Sequence, residues 1–284
     1  MSNYTVIDGK AVSEKVKSAI ADKVAAIAAS GKRAPCLAVV LVGDDPASQV
    51  YVRNKKKACE RCGITSLEYL LPADTAEEEL LKLISELNAN KETDGILVQM
   101  PLPKHIDASH ITAAIDPRKD VDAFHPENVG LISLGTPRFL PCTPAGVMRI
   151  LEEYGVEITG KRCVVVGRSN IVGKPMFNLL LAANGTVTVA HTKTADLASL
   201  TREADILVAA CGRAGMITGD MVKEGAVLID VGISRTENGL KGDLDFGSCA
   251  EKASFITPVP GGVGPMTIAM LMENTLKAYL LTNG

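Results

Sequence analysis

The chain has 284 residues, enough for two domains of ordinary size, and 46% of them are hydrophobic. Charged residues make up 22% and the formal net charge is -3. This globular balance gives no electrostatic reason to expect a nucleic-acid partner. The N-terminal residues lack the apolar core of a secretion signal, so we expect a cytoplasmic protein.

The cysteines, the histidines and one uncharged stretch bear on metals and membranes. Cys59 and Cys62 form a C-x-x-C pair, but no second pair completes a zinc site, and the four histidines show no H-x-x-x-H spacing. We therefore expect reduced cysteines and no structural metal. The uncharged stretch 253–272 contains prolines and glycines that would break a helix in lipid, which predicts a loop and a helix start instead of a membrane span.

Apolar runs and amphipathic segments alternate along the first part of the chain. Their spacing predicts helices at 11–30, 47–61 and 76–90, and strands at 36–42, 64–71 and 95–100. This order predicts an α/β domain over residues 1–122, with a mostly parallel sheet and helices on both of its faces.

A stretch rich in glycine and proline, 124–144, leads into a second unit. Thr143 is predicted as the N-cap of a helix and Pro144 as its first residue. Strands predicted at 163–166, 186–190, 206–210 and 227–231 indicate a Rossmann-like domain over 139–265. The last helix, about 266–281 within the segment 266–284, is expected to pack back on the first domain and to leave a cleft between the domains.

The strand at 163–166 leads into a glycine-bearing turn that departs from the usual G-x-G-x-x-G. Gly167 ends the strand, Ser169 replaces the second glycine, and Gly173 follows four residues later. A helix N-terminus here offers unpaired N–H groups and partial positive charge to a phosphate, and a serine hydroxyl can donate to a phosphate oxygen. The spacing alone fits an ordinary strand-to-helix turn equally well.

The end of the next strand discriminates between the two dinucleotides. NAD sites usually place a carboxylate there to bind the ribose 2′-hydroxyl, but residues 191–194 are His-Thr-Lys-Thr. Arg168, Thr192 and Lys193 can instead meet a 2′-phosphate through charge and hydrogen bonds. The pattern predicts an NADP site, although Lys193 taken alone fits a solvated surface lysine equally well.

Two polar side chains of the first domain have the character of catalytic groups. Tyr51 and Lys55 lie four residues apart on a predicted helix and share a face, while Lys56 and Lys57 fit a solvated face. Nearby cations and partial burial both disfavour the ammonium form of Lys55. Gln99 ends an apolar strand, where its amide needs either a structural partner or a ligand.

Two further segments offer groups that could recognise a ligand. The stretch DPRKDVDAFHP contains Asp116, Asp120 and Asp122; one of these could cap a turn and another could accept two hydrogen bonds from an amino-pyrimidine edge. The loop TPVPGGVGPMT allows the backbone to approach a flat ligand closely at Pro260, Gly261 and Gly262.

Six motifs, in this order, resemble the methylenetetrahydrofolate dehydrogenase/methenyltetrahydrofolate cyclohydrolase family: YVRNK, GILVQMPLP, KDVDAFHPENVG, PCTPAG, GRSNIVGKP and PVPGGVGPMT. The resemblance covers nearly the whole chain. It implies a catalytic N-terminal domain joined to a Rossmann-like NADP domain, tetrahydrofolate derivatives as substrates, and a homodimer. The chain departs from the family pattern at Ala123, where glycine is common, and at Met100, where the family usually has leucine.

The resemblance also implies roles for individual residues. Lys55 would be the catalytic lysine, Tyr51 and Gln99 its partners, and Asp122 the carboxylate that binds the pterin. Pro260, Gly261 and Gly262 would contact the substrate. The cofactor would be held by five residues: Gly167, Arg168, Ser169, Thr192 and Ile233.

The implied chemistry is the oxidation of 5,10-methylenetetrahydrofolate with NADP, followed by hydrolysis of the methenyl product to 10-formyltetrahydrofolate. Two alternatives are an NADP dehydrogenase for another small substrate, without hydrolysis, and a non-catalytic NADP- or folate-binding protein. Asp122 and Tyr51 favour a pterin ligand over a small acid, and Lys55 with Gln99 argues against binding alone.

Overall fold

The structure is a computed structural model, and it describes residues 4–237 and 239–283. The ends of the predicted domain ranges, residues 1–3 and 284, lie outside the described residues. Within the described chain the strands are β1 (Thr5–Val6), β2 (Cys36–Val42), β3 (Thr65–Leu71), β4 (Gly95–Val98), β5 (Arg162–Val166), β6 (Thr186–Ala190), β7 (Ile206–Ala209), β8 (Val227–Asp230), β9 (Ser234–Thr236), β10 (Gly239–Lys241) and β11 (Phe255–Ile256).

The helices of the same residues alternate with these strands, and one short 3₁₀ turn covers Gly219–Met221. The α-helices are α1 (Gly9–Ala29), α2 (Pro46–Cys62), α3 (Glu77–Ala89), α4 (Ala108–Ala114), α5 (Pro126–Ser133), α6 (Cys142–Glu153), α7 (Gly173–Ala182), α8 (Leu197–Thr201), α9 (Phe246–Ala250) and α10 (Val263–Asn283). No helix among the described residues is both long and apolar enough to cross a membrane.

The chain divides into two compact units. The first, called here the three-stranded unit, comprises Glu14–Cys142 and residues 268–283. The second, called the six-stranded unit, comprises residues 4–13 together with Thr143–Thr267. The three-stranded and six-stranded sheets are parallel, which confirms the predicted α/β class, and β9 and β10 form a separate antiparallel pair.

The three-stranded unit is organised around β2, whose seven residues are all buried. The strand order is β3-β2-β4, and both neighbours run parallel to β2. A continuous apolar run such as CLAVVLV is typical of a parallel strand covered on both faces. On one face, Ala38 and Val40 of β2 share a core cluster with Leu80, Ile84 and Leu87 of α3.

Helix α2 has a fixed start and end. The Asp45 carboxylate accepts from the Ser48 N–H at 2.7 Å, and Pro46 occupies the first turn. Gly63 ends the helix with φ 71°, a left-handed conformation that glycine adopts without steric cost. These signals place α2 one residue beyond the predicted range at each end, within the usual scatter of helix boundaries.

The six-stranded unit has the strand order β1-β11-β8-β7-β5-β6, and every neighbouring pair is parallel. Its outermost strand, β1, pairs with β11 so that Thr5 lies opposite Phe255. Residues 4–13 therefore lie in this unit, whereas the sequence pattern groups them with residues 14–122. A strand of two residues is too short for a period-two pattern to reveal it.

The start of α6 corrects one predicted cap. The helix begins at Cys142, so Thr143 lies inside it and not at the predicted N-cap position. The hydroxyl of Thr143 lies 3.0 Å from that of Thr267. At the C-terminus, α10 is longer than the predicted 266–281 and covers Val263–Asn283.

Candidate active site

Lys55 and Gln99 meet at the end of β4. Gln99 directly follows the strand, and its backbone N–H continues the ladder by donating to the Val40 carbonyl at 2.8 Å. The Lys55 ammonium group donates to Gln99 Oε1 at 2.8 Å, and Gln99 Nε2 donates to the Met100 carbonyl at 2.6 Å. The amide is thus oriented at both ends, and it holds Lys55 Nζ in one place.

Burial lowers the pKa of Lys55 below its ordinary value, because the charged ammonium loses water. The negative charge of Asp122 acts in the opposite direction and raises this pKa. The sequence pattern attributes part of the lowering to nearby cations, but Lys56 points elsewhere, pairing with Glu68 at 2.8 Å. Desolvation is therefore the cause of the lowered pKa in the structure.

Asp122 is the carboxylate that balances Lys55. Burial raises the pKa of Asp122, while the Lys55 charge and a hydrogen bond from Cys142 lower it. The Cys142 thiol donates to Asp122 Oδ1 at 3.4 Å, and burial together with Asp122 raises the pKa of this thiol well above its ordinary value. An amine and a carboxyl group that interact in one buried place titrate as a pair.

The neighbouring carboxylates have structural partners. Asp116 accepts from the Arg118 N–H at 2.8 Å and so caps a turn, as one aspartate of this stretch is predicted to do. Asp120 accepts from the His125 N–H at 2.7 Å and from Asn128 Nδ2 at 2.9 Å. Burial raises the pKa of Asp120 to about 6. Of the three aspartates, Asp122 is the one whose charge acts on Lys55.

Ala123, directly after Asp122, has φ 60° and is fully buried. This is the left-handed region, where a side chain other than glycine costs roughly 1–2 kcal/mol. The backbone next to Asp122 thus has the conformation that suits the glycine common in the resembling family. The rest of the fold maintains that conformation although the residue is alanine.

Tyr51 lies one helical turn before Lys55 on α2 and is 42% exposed. Residues four apart on a helix lie on the same face. Its ring therefore offers an accessible flat surface on the side of α2 that carries Lys55.

The turn after β5 is built on two close approaches of the backbone. A Cβ atom on Gly167, whose φ is +137°, would lie 2.2 Å from the Ala210 carbonyl oxygen, and a Cβ atom on Gly173 would lie 2.2 Å from the Gly167 carbonyl oxygen. Ser169 Oγ accepts from the N–H groups of Val172 and Gly173 at 3.2 and 3.4 Å. Because the hydroxyl accepts in these bonds, its own hydrogen is available to donate to a ligand.

The turn after β6 is ordered by its own side chains. The His191 N–H donates to Thr194 Oγ1 at 2.9 Å, and the Lys193 N–H donates to His191 Nδ1 at 3.1 Å. Thr192 and Lys193 are exposed, and so is Arg168 at the end of β5. The ends of two adjacent strands of one sheet thus carry a guanidinium, a hydroxyl and an ammonium group.

The other predicted contacts also lie in the six-stranded unit. Gly261 has φ +109°, and the Gly262 N–H closes a turn on the Pro258 carbonyl at 2.9 Å. Pro260 lies within this turn, and Ile233, which follows β8, is 47% exposed. Lys55, Gln99 and Asp122 belong to the three-stranded unit, so the predicted site residues fall into two groups.

Two family models match the chain over most of its length. Residues 7–122 match "Tetrahydrofolate dehydrogenase/cyclohydrolase, catalytic domain", and residues 141–283 match "Tetrahydrofolate dehydrogenase/cyclohydrolase, NAD(P)-binding domain". The chain belongs to the tetrahydrofolate dehydrogenase/cyclohydrolase family.

Individual proteins give the same result. The chain is 60% identical to "Bifunctional protein FolD" of Campylobacter hominis, a match that covers 96% of both chains, and 58% identical to the protein of that name from Acetivibrio thermocellus, covering 97% of both. Among solved structures, the bifunctional dehydrogenase/cyclohydrolase of Campylobacter jejuni has a TM-score of 0.96 at 52% identity, over 98% of this chain and 99% of that one.

A second solved structure bears on the cofactor. The dehydrogenase-cyclohydrolase of Trypanosoma brucei, complexed with NADP and an inhibitor, has a TM-score of 0.94 at 40% identity and covers 98% of both chains. The NAD(P)-binding family model confirms the predicted nicotinamide dinucleotide site, and NADP is the dinucleotide bound by the T. brucei protein. The predicted family, its two-domain α/β fold and the bifunctional dehydrogenase/cyclohydrolase class are likewise confirmed.

Two residues near Asp122 make contacts that the sequence pattern did not predict. Cys142 contacts Asp122, and Asn274 Nδ2 donates to the carbonyls of Val121 and Leu140 at 2.8 Å each. Cys142 lies in the quoted motif PCTPAG, which was the available signal. Among the described residues, no group of three or more histidine, cysteine or acidic side chains is arranged to hold a metal ion.

We predict that Gly173→Ala weakens NADP binding at least tenfold and lowers stability by about 1–3 kcal/mol, since an added methyl group here overpacks the turn. The control is Gly247→Ala in α9, where a Cβ atom meets nothing within 4 Å. Thermal unfolding and calorimetric titration with NADP measure both quantities. Identical behaviour of the two variants would contradict the assigned role of this turn.

Proposed function

We propose that this protein oxidises 5,10-methylenetetrahydrofolate with NADP and then hydrolyses the methenyl product to 10-formyltetrahydrofolate. The observation that carries the proposal is the hydrogen bond from Lys55 Nζ to Gln99 Oε1, at 2.8 Å, in a place where burial lowers the lysine pKa. The dehydrogenase/cyclohydrolase names of the relatives agree with it. The resemblance also supports a homodimer.

The dehydrogenase step depends mainly on alignment. When bound, NADP supplies the hydride acceptor, and nitrogen lone pairs of the folate stabilise the cation that remains. The turn from Gly167 to Gly173 fits a dinucleotide phosphate because it leads directly into the N-terminus of α7, where backbone N–H groups and partial positive charge favour an anion. Arg168 and Thr192 would hold the 2′-phosphate, and Ile233 would contact the cofactor through its exposed side chain.

The hydrolytic step needs proton transfers, and Lys55 is the group to make them. A lowered pKa increases the fraction of neutral amine, whose Nζ can accept a proton from the water that attacks the methenyl carbon. The resulting ammonium can then donate to the nitrogen whose bond to the methenyl carbon breaks as the ring opens, while the hydroxyl of the adduct releases its proton to solvent and becomes the formyl carbonyl. A neutral amine also repels the cationic methenyl group less than an ammonium does. Gln99 keeps Nζ aimed at one point throughout.

Asp122 and Tyr51 supply recognition of the pterin. Oδ1 of Asp122 accepts from the Cys142 thiol. The other carboxylate oxygen, Oδ2, is available to accept hydrogen bonds from an amino-pyrimidine edge, and so are the remaining lone pairs of Oδ1. The exposed ring of Tyr51 offers a flat surface on the Lys55 side of α2. The backbone of Pro260, Gly261 and Gly262 is proposed to approach the substrate, which their turn geometry permits.

Lys55→Met is expected to lower cyclohydrolase activity by roughly 10²–10⁴-fold, the usual contribution of general acid–base catalysis. Dehydrogenase activity should fall less, because it relies on alignment. The matched control is Lys56→Met, which removes an exposed lysine paired with Glu68. Separate assays of the two activities, with folding checked by circular dichroism, measure the effect. A folded Lys55→Met protein that hydrolyses methenyltetrahydrofolate at the parent rate would place the catalytic base elsewhere.

The parent protein should use NADP far better than NAD, and Arg168→Gln should remove much of that preference. A charged hydrogen bond to the 2′-phosphate contributes about 1.5–3 kcal/mol, or roughly 10–150-fold in kcat/KM for NADP. Activity with NAD should hardly change. The control is Arg162→Gln, at the opposite end of β5, which pairs with Glu203. Steady-state kinetics with both cofactors test this, and an unchanged NADP/NAD ratio in Arg168→Gln would refute the assignment.

Asp122→Ala should weaken folate binding by at least tenfold and leave NADP binding within about twofold, since removal of hydrogen bonds to a charged group costs about 1.5–3 kcal/mol. Asp116→Ala is the control, because Asp116 caps a turn of the same segment. Each ligand is titrated into each variant by calorimetry. Equal folate affinities in the two variants would return Asp122 to a structural role.

A further inference from the structure

The buried carboxylate of Asp243 is surrounded by three consecutive backbone donors. Its Oδ2 accepts from the N–H groups of Cys211 and Gly212 at 2.6 and 2.9 Å, and its Oδ1 accepts from the Arg213 N–H at 2.8 Å. The side chain is fully buried. The three donors form the turn that follows β7, so successive N–H groups converge there on one anion, as in an anion-binding nest.

A second carboxylate ties the same residue to the next strand. Asp230, the last residue of β8, accepts at Oδ1 from the N–H groups of Gly232 and Asp243, at 3.0 and 2.9 Å. Its Oδ2 accepts from the Leu244 N–H at 2.9 Å. The side chain of Asp243 thus holds the turn after β7, and its backbone, through Asp230, holds the turn after β8.

Two glycines lie in close contact with these carboxylates. A Cβ atom on Gly232 would lie 2.3 Å from the Asp243 carboxyl carbon, and a Cβ atom on Gly242 would lie 1.9 Å from Asp230 Oδ2. The close approach leaves no room for a side chain at either position. The arrangement of the two acids therefore depends on glycine at both.

The burial of two carboxylates, Asp230 and Asp243, has a high free-energy cost for an element with only a structural role. Within residues 4–237 and 239–283, neither acid forms an ion pair with a lysine or arginine, and backbone N–H groups provide the compensation. Burial, with a smaller contribution from the charge of Asp243, raises the pKa of Asp230 to about 6, although the backbone N–H donors act to lower it. Buried charges carry a large desolvation cost. This pair lies at the carboxyl ends of parallel strands, where open α/β sheets bind ligands.

We propose that Asp243 is a positioning residue for the dinucleotide. It fixes the 211–213 turn and, through Asp230, the segment Gly232–Ile233 at the ligand-binding edge of the sheet. Because its own carboxylate occupies the three N–H groups of the turn, no phosphate binds there, and the cofactor phosphates are left to the turn from Gly167 to Gly173. This inference rests on the proposed function, since it assumes that the six-stranded unit binds NADP.

The first test replaces the charge without changing the shape. In Asp243→Asn, the amide NH₂ group faces backbone donors, so at least one of the three hydrogen bonds is lost. We expect the NADP dissociation constant, measured by calorimetry, to rise at least tenfold, with a matching rise in the KM for NADP. The cyclohydrolase kcat and the KM for methenyltetrahydrofolate should stay within twofold of the parent values. Asp245→Asn, two residues on and exposed, should leave all four quantities unchanged.

The second test strains the turn and leaves both acids intact. Gly212 has φ +68° and open space around its missing Cβ atom, and Gly215 has φ +64° with equally open space. Alanine thus introduces the same backbone strain at both positions, but only Gly212 donates to Asp243. Gly212→Ala should raise the NADP dissociation constant about fivefold or more, and Gly215→Ala should leave it within twofold. This comparison holds even if Asp243→Asn does not fold.

The outcomes separate the two proposals. If Gly212→Ala and a folded Asp243→Asn bind NADP as the parent does, or if both activities fall in parallel with thermal stability, Asp243 is only a structural residue and the inference is wrong. A parent protein that binds NADP but turns over neither folate substrate overturns the proposed function. In that case the calorimetric comparison of Gly212→Ala with Gly215→Ala still decides the role of Asp243.

Discussion

Parallel strands that are buried on both faces confine the chemistry of this protein to the residues at their ends. Every residue of β2 is buried, and the four residues of β7 and of β8 are buried as well. Polar side chains inside such strands would lose water without a partner, so they occur where a strand stops. Gln99 after β4 and Asp230 at the end of β8 both follow this constraint.

The two units satisfy their buried charges in different ways. In the three-stranded unit, Asp122 raises the pKa of Lys55 and Lys55 lowers the pKa of Asp122. Each group thus favours the charged form of the other. This balance leaves a lysine that burial has made easier to deprotonate. In the six-stranded unit, Asp243 is compensated by backbone N–H groups and not by a cation. These three hydrogen bonds hold the geometry of the turn after β7.

Close packing of glycine backbone against other polar atoms is the second recurring feature of the structure. Gly167 and Gly173 pack against carbonyl oxygens, and Gly232 and Gly242 make room for two carboxylates. Ala123 is the contrary case, because a residue with a side chain occupies a left-handed position beside Asp122. Its cost of roughly 1–2 kcal/mol is small beside the burial energy of the surrounding core, so the conformation is kept.

The sequence by itself determined the class of fold, the order of the main elements and the family. Long apolar runs such as 36–42 and capping residues such as Asp45 and Gly63 act over short distances, and the local pattern therefore contains them. The motifs that contain Lys55, Gln99 and Gly167 are also short and continuous in sequence, so they can be identified without the structure. Elements of two or three residues, such as β1, carry too little periodicity to be predicted.

Tertiary structure decided what depends on contacts between distant parts of the chain. The pairing of β1 with β11 joins residues about 250 positions apart, and it places the N-terminal residues in the six-stranded unit. The contact between Cys142 and Asp122, and the three N–H groups around Asp243, likewise join separate segments. A residue pattern records which side chains are polar, but burial, and with it the lowered pKa of Lys55, exists only once the chain has folded around them.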